Sequence, residues 1–318
     1  MTNKQKYNGI VVPAVTPLTK DFKLDHQALE KMFHYFHKYR VMPFVNGTTG
    51  EATSLPYNLK KDYILTASKL KRPGDLLYAG ISSNCLEESV KLANIAFDAG
   101  VDAVAATLPS YYNLSEYQML TYFEQLARQA AGPVIIYNIP VTTRMSVPLE
   151  VIDKLSYHDN IIGTKDSERS EERLKESLEL WGGREDFCHF LGWAPKSTEA
   201  LINGSDGLIP STGNICPHIY SELYEAVKSG DHERAFRLQK ISDHLGDVYQ
   251  KGKLLGESLW LLKVCMNELD LCSEYVMPPL YPLGDEEKSK AIKNLQHVIE
   301  KNNLFSPTQT LPGREGFF

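Results

Sequence analysis

Short apolar runs alternate along the chain with longer stretches in which apolar residues recur every three or four positions. The runs are hydrophobic throughout, as expected of parallel strands that are covered on both faces. Eight of these runs predict strands: Gly9–Val15, Met42–Asn46, Leu76–Ile81, Asp102–Leu108, Pro133–Ile139, Ile161–Asp166, Phe187–Gly192 and Gly207–Thr212.

The longer stretches predict amphipathic helices, because a spacing of three or four residues places the apolar side chains in one stripe. Asp25 and Ser115 are suitable N-cap residues, and Gly100 and Gly230 stand where helices would end. The clearest examples are Asp25–Tyr39, Leu86–Ala99, Ser115–Ala131, Ser170–Leu180 and Pro217–Lys228.

Eight strands, each followed by a helix, predict an α/β fold, a closed (β/α)8 TIM barrel, which we assign to residues 1–230. A doubly wound open sheet is the alternative. The G-x-G-x-x-G turn typical of that fold is missing after the first strand, which leads instead into Thr16-Pro17. The pattern therefore favours the barrel.

The carboxyl-terminal part of the chain has a different pattern, since helical stretches follow one another without strands. Asp231–Gln250, Lys253–Leu269 and Asp285–Asn302 predict an appended C-terminal three-helix layer over residues 231–302. Residues 303–318 contain two Pro and two Gly and no helical period, so we expect a flexible or partner-contacting tail.

Composition narrows the class of protein. Hydrophobic residues make up 42% and charged residues 23%, which is typical of a soluble globular chain. The 40 acidic and 34 basic residues give a net charge of -6 spread along the chain, so we expect no nucleic-acid partner. No apolar run approaches the ~20 residues that cross a bilayer. The amino terminus lacks the apolar core of a signal peptide, and we expect a cytoplasmic location without a membrane partner.

The five cysteines form no C-x-x-C pair and predict a reduced protein. Cys188 and Cys265 lie in apolar contexts that are typical of core residues. His34 and His37 share a predicted helix face, but no third ligand lies near them in the sequence. We therefore predict no metal site.

Functional residues of (β/α)8 barrels lie at the carboxyl ends of the strands. Ser211, near the end of the last predicted strand, is one candidate substrate-binding hydroxyl. The polar strand ends of this chain are Asn46–Glu51, Pro109–Asn113, Tyr137–Pro140, Gly163–Asp166 and Pro210–Asn214.

Lys165 is the most informative of these residues. It follows Ile161–Thr164, so its backbone belongs to a buried strand and its amine is expected to point into the barrel mouth. Loss of hydration there lowers the pKa of an amine and leaves it able to attack a carbonyl. The alternative is a lysine paired with Asp166 or another carboxylate.

Tyr137 ends the preceding strand and could move a proton, although a buried core tyrosine is the simpler interpretation. The turn Gly47–Gly50 offers two hydroxyls and free backbone N–H groups that suit a carboxylate. It lacks the lysine of a P-loop, which argues against a nucleotide phosphate. Together with Lys165, these groups predict imine formation with a 2-oxo acid.

Four motifs follow one another at the predicted strand ends. They are Gly47-Thr48-Thr49-Gly50-Glu51, Tyr111-Tyr112-Asn113, Tyr137-Asn138-Ile139-Pro140 and Gly163-Thr164-Lys165-Asp166. With these motifs the chain resembles, from Tyr7 to Asn302, the N-acetylneuraminate lyase and dihydrodipicolinate synthase family of class I aldolases.

The resemblance implies catalytic roles for four residues. Lys165 would form a Schiff base with pyruvate or a pyruvate-derived part of the substrate, and Tyr137 would be the general acid/base. Thr48 would join Tyr137 in a proton relay. Tyr112 matches the tyrosine that some members lend to this relay across a subunit interface.

The resemblance also implies binding roles and an assembly. Gly47 and Thr49 would hold the substrate carboxylate, and Ile209 would form a wall of the pyruvate pocket. Such enzymes are usually homotetramers built as pairs of dimers. They need neither a metal nor an organic cofactor, because the protonated covalent imine is itself the electron sink.

Two positions depart from the well-known branches. Thr142 stands where dihydrodipicolinate synthases carry an arginine for the carboxylate of the aldehyde, and Arg144 is the nearest arginine. Gly192 is followed by Trp193-Ala194-Pro195, where sialic-acid lyases carry acids. We therefore expect a 2-keto-3-deoxy sugar acid or related 2-oxo acid as substrate. The alternatives are a true 4-hydroxy-tetrahydrodipicolinate synthase, a Schiff-base dehydratase of the same family, and a non-catalytic binding barrel.

Overall fold

The computed structural model describes residues 2–305, and its centre is a closed barrel of eight parallel strands. The strands follow one another around the barrel in chain order, and the first strand pairs with the last. They are β1 (Gly9–Pro13), β2 (Met42–Val45), β3 (Tyr78–Gly80), β4 (Ala103–Ala106), β5 (Val134–Asn138), β6 (Ile161–Asp166), β7 (Cys188–Leu191) and β8 (Gly207–Leu208). The predicted TIM barrel is confirmed, and the open sheet is excluded.

Helices connect the strands and then continue beyond the barrel. Within residues 2–305 the helices are α1 (Asn3–Lys6), α2 (His26–Lys38), α3 (Tyr57–Leu70), α4 (Leu86–Asp98), α5 (Glu116–Gln129), α6 (Pro140–Thr143), α7 (Leu149–Leu155), α8 (Glu171–Trp181), α9 (Ser197–Ile202), α10 (Pro217–Lys228), α11 (His232–Gln250), α12 (Leu255–Glu268) and α13 (Asp285–Asn302). The sequence analysis did not individually predict α1, α3, α6, α7 and α9.

Several predicted strands are too long at their carboxyl ends, most clearly the last one. β8 stops at Leu208, whereas the prediction extended it to Thr212. Pro210 has no N–H to donate to a neighbouring strand. Residues 211–214 then form a 3-10 turn, which places Ser211 on a turn above the barrel.

The barrel interior is filled by large side chains, so it is a core and not a channel. Tyr7 closes the amino-terminal end, where its ring centroid lies 6.4 Å from that of Tyr78. Phe44 and Phe190 are buried above them. The remaining open space lies at the carboxyl ends of the strands, as the fold predicts.

The three C-terminal helices are present as predicted. α12 has nine buried residues, Ser258–Met266, and is enclosed on all sides. Such a helix is part of the core rather than an external addition. Of the predicted tail, residues 306–318 lie outside the described residues.

Cys188 and Cys265 are buried and free, as predicted for core thiols. Within residues 2–305 no cluster of three or more His, Cys, Asp or Glu side chains is arranged to hold a metal ion. In that same range, no helix combines the length and apolar character needed to cross a membrane.

Candidate active site

Lys165 lies in the barrel mouth, next to Tyr137 on the adjacent strand. The two residues are register partners between β5 and β6. The Lys165 side chain is only 3% exposed, and its Nζ lies 3.8 Å from the Tyr137 ring centroid and 4.9 Å from the Phe44 ring centroid. Burial lowers the pKa of Lys165, and the neighbouring Tyr137 opposes this shift only in part. The amine is thus destabilised as an ammonium ion.

The alternative prediction, an ion pair between Lys165 and Asp166, is wrong. Successive strand residues point to opposite faces, so Asp166 faces away from the barrel interior. Its Oδ2 accepts a 2.7 Å hydrogen bond from Arg173 Nε, and Asn138 Nδ2 donates to both of its carboxylate oxygens at 3.3 Å. No carboxylate within residues 2–305 forms an ion pair with Lys165.

The Tyr137 hydroxyl has a hydrogen-bond partner in the turn that follows β2. Thr48 Oγ1 lies 3.3 Å from Tyr137 Oη, and Tyr137 is 5% exposed. Either oxygen can donate, so a proton can pass in both directions between them. This is the hydroxyl pair that the sequence predicted.

The turn itself is tightly held. Glu51 N–H donates to the Thr48 carbonyl at 3.0 Å, and Thr16 Oγ1 donates to the Gly50 carbonyl at 2.6 Å. By contrast, the N–H groups of Thr48 and Thr49 donate to no backbone carbonyl within residues 2–305. These two donors suit a carboxylate placed above the turn.

Lys165, Tyr137, Thr48 and Thr49 share one cavity of about 430 Å³. Ile209 and Ser211 also line it, as predicted for substrate-binding residues. Ser211 Oγ lies 2.7 Å from Tyr249 Oη, so its hydroxyl is oriented by α11. The wall is mixed, with apolar residues such as Ile209 beside hydroxyl-bearing and charged residues.

A second, smaller cavity of about 180 Å³ shares Thr48 and Tyr137 with the first. Gly47 and Thr142 line this cavity and not the one that holds Lys165. The Thr142 hydroxyl donates to the Ile139 carbonyl at 3.2 Å.

Comparison with known proteins agrees with this geometry. Residues 6–298 match the model of the dihydrodipicolinate synthetase family. The chain belongs to this family. An uncharacterized DapA-like lyase of Pyrococcus furiosus is 31% identical over 303 residues, which cover 93% of this chain and 99% of the relative.

Two solved structures show the same similarity. Dihydrodipicolinate synthase from Bacteroides thetaiotaomicron has a TM-score of 0.86 at 30% identity, covering 91% of this chain and 98% of that chain. YagE, an E. coli K12 prophage protein of this family solved in complex with pyruvate, has a TM-score of 0.87 at 26% identity, covering 92% and 98%. Members of the dihydrodipicolinate synthetase family are pyruvate-dependent Schiff-base lyases, and this chain is an enzyme of that kind.

Two residues that the family resemblance brings forward line neither of these two cavities. Tyr112 is 73% exposed and lines neither cavity. Arg144 also lines neither cavity. Pro140–Thr143 forms a helical turn, and Arg144 ends it in the left-handed region at φ 58°.

Much of the outer wall of the cavity consists of residues that were not predicted from the sequence. α11 and α12, together with the segment between them, contribute Tyr249, Gln250, Lys253, Leu255, Ser258, Leu259 and Leu262. The loop after β6 adds Ser167, Glu168 and Arg169. The one sequence signal for Ser167, Glu168 and Arg169 is that they directly follow the predicted strand Ile161–Asp166, at whose end functional residues are expected.

The charged groups of the outer wall differ in how they are held. Glu168 accepts hydrogen bonds from Ser146 Oγ at 2.5 Å and Asn138 Nδ2 at 3.0 Å. Lys253 Nζ lies 2.8 Å from a Glu287 carboxylate oxygen. Arg169 is exposed, and within residues 2–305 it has no ion-pair partner. The outer half of the cavity therefore carries charged side chains of both signs among its apolar residues.

Proposed function

We propose that this enzyme forms or cleaves a carbon–carbon bond to pyruvate through a covalent imine on Lys165. The observation that carries this proposal is the Lys165 amine, which is 3% exposed and lies 3.8 Å from the Tyr137 ring centroid, without a carboxylate partner among residues 2–305. A lysine destabilised as an ammonium ion is a usable nucleophile near neutral pH.

The chemistry balances with groups that the site holds. Lys165 Nζ attacks the carbonyl carbon of the 2-oxo acid, and the resulting carbinolamine loses water to give the imine. Tyr137 gives and takes the protons that these steps need, and Thr48 connects Tyr137 to the next donor or acceptor. The Thr48 and Thr49 N–H groups hold the carboxylate. When the bond between C3 and C4 of the substrate breaks, the C4 hydroxyl loses its proton and becomes an aldehyde, and the protonated imine takes up the electron pair as an enamine. Protonation of the enamine at C3 and addition of water to the imine then release pyruvate and restore the Lys165 amine.

For the second half of the substrate, we propose a 2-keto-3-deoxy sugar acid or a related 2-oxo acid. The outer cavity presents serine, glutamine, glutamate, arginine and lysine side chains, which suit a chain of hydroxyl groups. Thr142 stands in place of an arginine, and its hydroxyl donates a hydrogen bond to the Ile139 carbonyl. It therefore offers no charged group to a second substrate carboxylate at that position. A dehydratase of the same substrate class uses the same imine and is the second candidate.

We also propose that the enzyme is a homotetramer, a dimer of dimers, in which Tyr112 completes the relay of a partner subunit. Tyr111 and Tyr112 are 79% and 73% exposed, and their ring centroids lie 5.0 Å apart. Two adjacent exposed aromatic rings favour burial against a partner. Sedimentation of the wild type and of Tyr112→Ser tests this assembly.

The imine is tested by incubating the protein with pyruvate and borohydride and locating the adduct by peptide mass spectrometry. We expect one reduced pyruvate imine, on Lys165, and none in Lys165→Ala. Wild-type protein without an adduct on Lys165 would overturn the proposal and leave a binding barrel. A panel of 2-keto-3-deoxy acids, assayed for pyruvate release or for loss of water, then separates lyase from dehydratase.

A further inference from the structure

Glu51 and Lys263 form a fully buried ion pair that the proposed mechanism does not use. Both side chains are 0% exposed, and Lys263 Nζ contacts Glu51 Oε1. Lys263 Nζ also donates to the Tyr275 carbonyl at 2.7 Å, and Glu51 Oε2 accepts from Met277 N–H at 2.6 Å. The pair thus fastens the turn after β2 to α12 and to the segment that follows it.

The backbone of Glu51 closes the turn that carries Thr48. Its N–H donates to the Thr48 carbonyl at 3.0 Å, and its own carbonyl accepts from Ser54 N–H at 2.8 Å. Glu51 has a left-handed φ of 59°, which is an uncommon conformation for a residue with a side chain. Such a conformation persists where the surroundings enforce it. The contacts to Lys263 and Met277 provide that enforcement.

Stability alone gives a poor account of this pair. Removing two charges from water is expensive, and well-packed apolar residues at such positions are often as stable or more stable. The buried stretch of α12, Ser258–Met266, is otherwise without charge, and two of its residues, Leu259 and Leu262, line the cavity that holds Lys165. The one lysine within its buried stretch reaches the turn that presents Thr48 to Tyr137.

We propose that the Glu51–Lys263 pair is a positioning device for proton transfer: it fixes the turn so that the Thr48 hydroxyl stays within hydrogen-bond reach of Tyr137. The C-terminal helical layer is then required for turnover and not only for substrate enclosure. This inference rests on the proposed function, since it assigns the pair to the relay of the same imine reaction.

The test is a double-mutant cycle between Glu51→Gln and Thr48→Val. We expect Glu51→Gln alone to lower kcat by about 10- to 100-fold, as small misplacements of catalytic groups do. The KM for the substrate should change little, and the final yield of the borohydride adduct on Lys165 should remain. In the Thr48→Val background, Glu51→Gln should cause no more than about a threefold further loss, because the group being positioned is already absent.

A second variant keeps the test decisive if Glu51→Gln does not fold, since that change leaves Lys263 buried without its counter-charge. Glu51→Gln combined with Lys263→Met removes both charges and should show the same cycle with Thr48→Val. The matched control is Glu274→Gln with Lys288→Met, an ion pair of 2.7 Å in the same C-terminal layer that does not touch the turn. It should retain wild-type kcat.

Losses that multiply between the Glu51 and Thr48 variants would overturn the inference and leave a purely structural pair. Full activity in Glu51→Gln would overturn it as well. Failure of the proposed function has a different signature, because the wild type would then form no adduct on Lys165.

Discussion

The inner and outer halves of the cavity are built in different ways. The inner half comes from strand ends and the turn after β2, and its reacting groups are nearly inaccessible, with Lys165 3% and Tyr137 5% exposed. The outer half comes from the segments after β5 and β6 and from the C-terminal helices, and Val141, in α6 after β5, is 75% exposed. Rigid strands thus carry the chemistry, whereas loops and added helices carry the recognition.

This difference explains why the family is easy to identify and the substrate is not. Strand ends are fixed by barrel register, so a lysine and a tyrosine on neighbouring strands must face each other. Outer-wall residues depend on how loops and helices pack over the barrel, and related enzymes can change them without disturbing the imine. Experiments that separate the two halves should therefore give effects of very different size.

Removal of the imine-forming group should have the largest effect. Lys165→Ala should lower turnover by at least ~10⁴-fold, because the lost amine supplies the covalent intermediate itself. Pyruvate release measures this, and circular dichroism checks that the barrel still forms. Activity above about a hundredth of the wild-type rate would argue against the imine mechanism.

Loss of the proton shuttle should have a smaller effect within the same half. Tyr137→Phe should still form some adduct with pyruvate and borohydride, yet its turnover should fall by ~10²–10⁴-fold. The matched variant Tyr7→Phe alters a buried tyrosine whose hydroxyl donates to the Asp102 carbonyl at the opposite, amino-terminal end of the barrel, and should keep its activity. Normal turnover in Tyr137→Phe would move the shuttle to another group, with Tyr112 the next candidate.

How much the sequence could predict follows the same division. Continuous apolar runs gave the strand count, and the parallel order then placed Lys165 beside Tyr137. The backbone around Arg144 is a helical turn that begins at Pro140, and a proline at the first helical position is a visible signal for such a turn. The walls from α11 and α12 could not be predicted, because helix periodicity does not say over which end of the barrel a helix packs.

The outer half should discriminate between aldehydes by a smaller factor than a catalytic residue provides. With aspartate semialdehyde and pyruvate, kcat/KM should lie ~30- to several-thousand-fold below a typical ~10⁵ M⁻¹s⁻¹, because Thr142 offers no charge-assisted contact to the second carboxylate. Thr142→Arg should raise this value, with Arg144→Gln as the control that changes nothing. An efficient wild-type reaction would instead indicate a true 4-hydroxy-tetrahydrodipicolinate synthase.

The smallest expected effect is on the free energy of unfolding, and it differs between the buried Lys165 of the inner half and the exposed Arg169 of the outer half. Burial lowers the pKa of Lys165, so the folded protein binds that proton more weakly than the unfolded chain does. The unfolded state therefore holds more protons between the folded pKa of Lys165 and the unfolded pKa of ~10.4, and burial of Lys165 costs stability at every pH below ~10.4. Lys165→Met keeps the side-chain length without the charge and should raise the free energy of unfolding by about 0.5–2 kcal/mol at pH 7.

The pH dependence decides whether desolvation of Lys165 is the cause of that gain. The wild-type penalty is complete below the folded pKa of Lys165 and disappears as the pH rises past ~10.4, where the unfolded lysine also becomes neutral. The advantage of Lys165→Met, measured by urea unfolding, should therefore shrink between pH 7 and that limit. Arg169→Met, an exposed cation in the outer half, should change stability by less than about 0.5 kcal/mol at every pH. An equal free energy of unfolding for Lys165→Met and wild type at pH 7 would contradict this prediction, and so would a difference that is the same at every pH. Either result would mean that desolvation of Lys165 does not lower the stability of the folded protein.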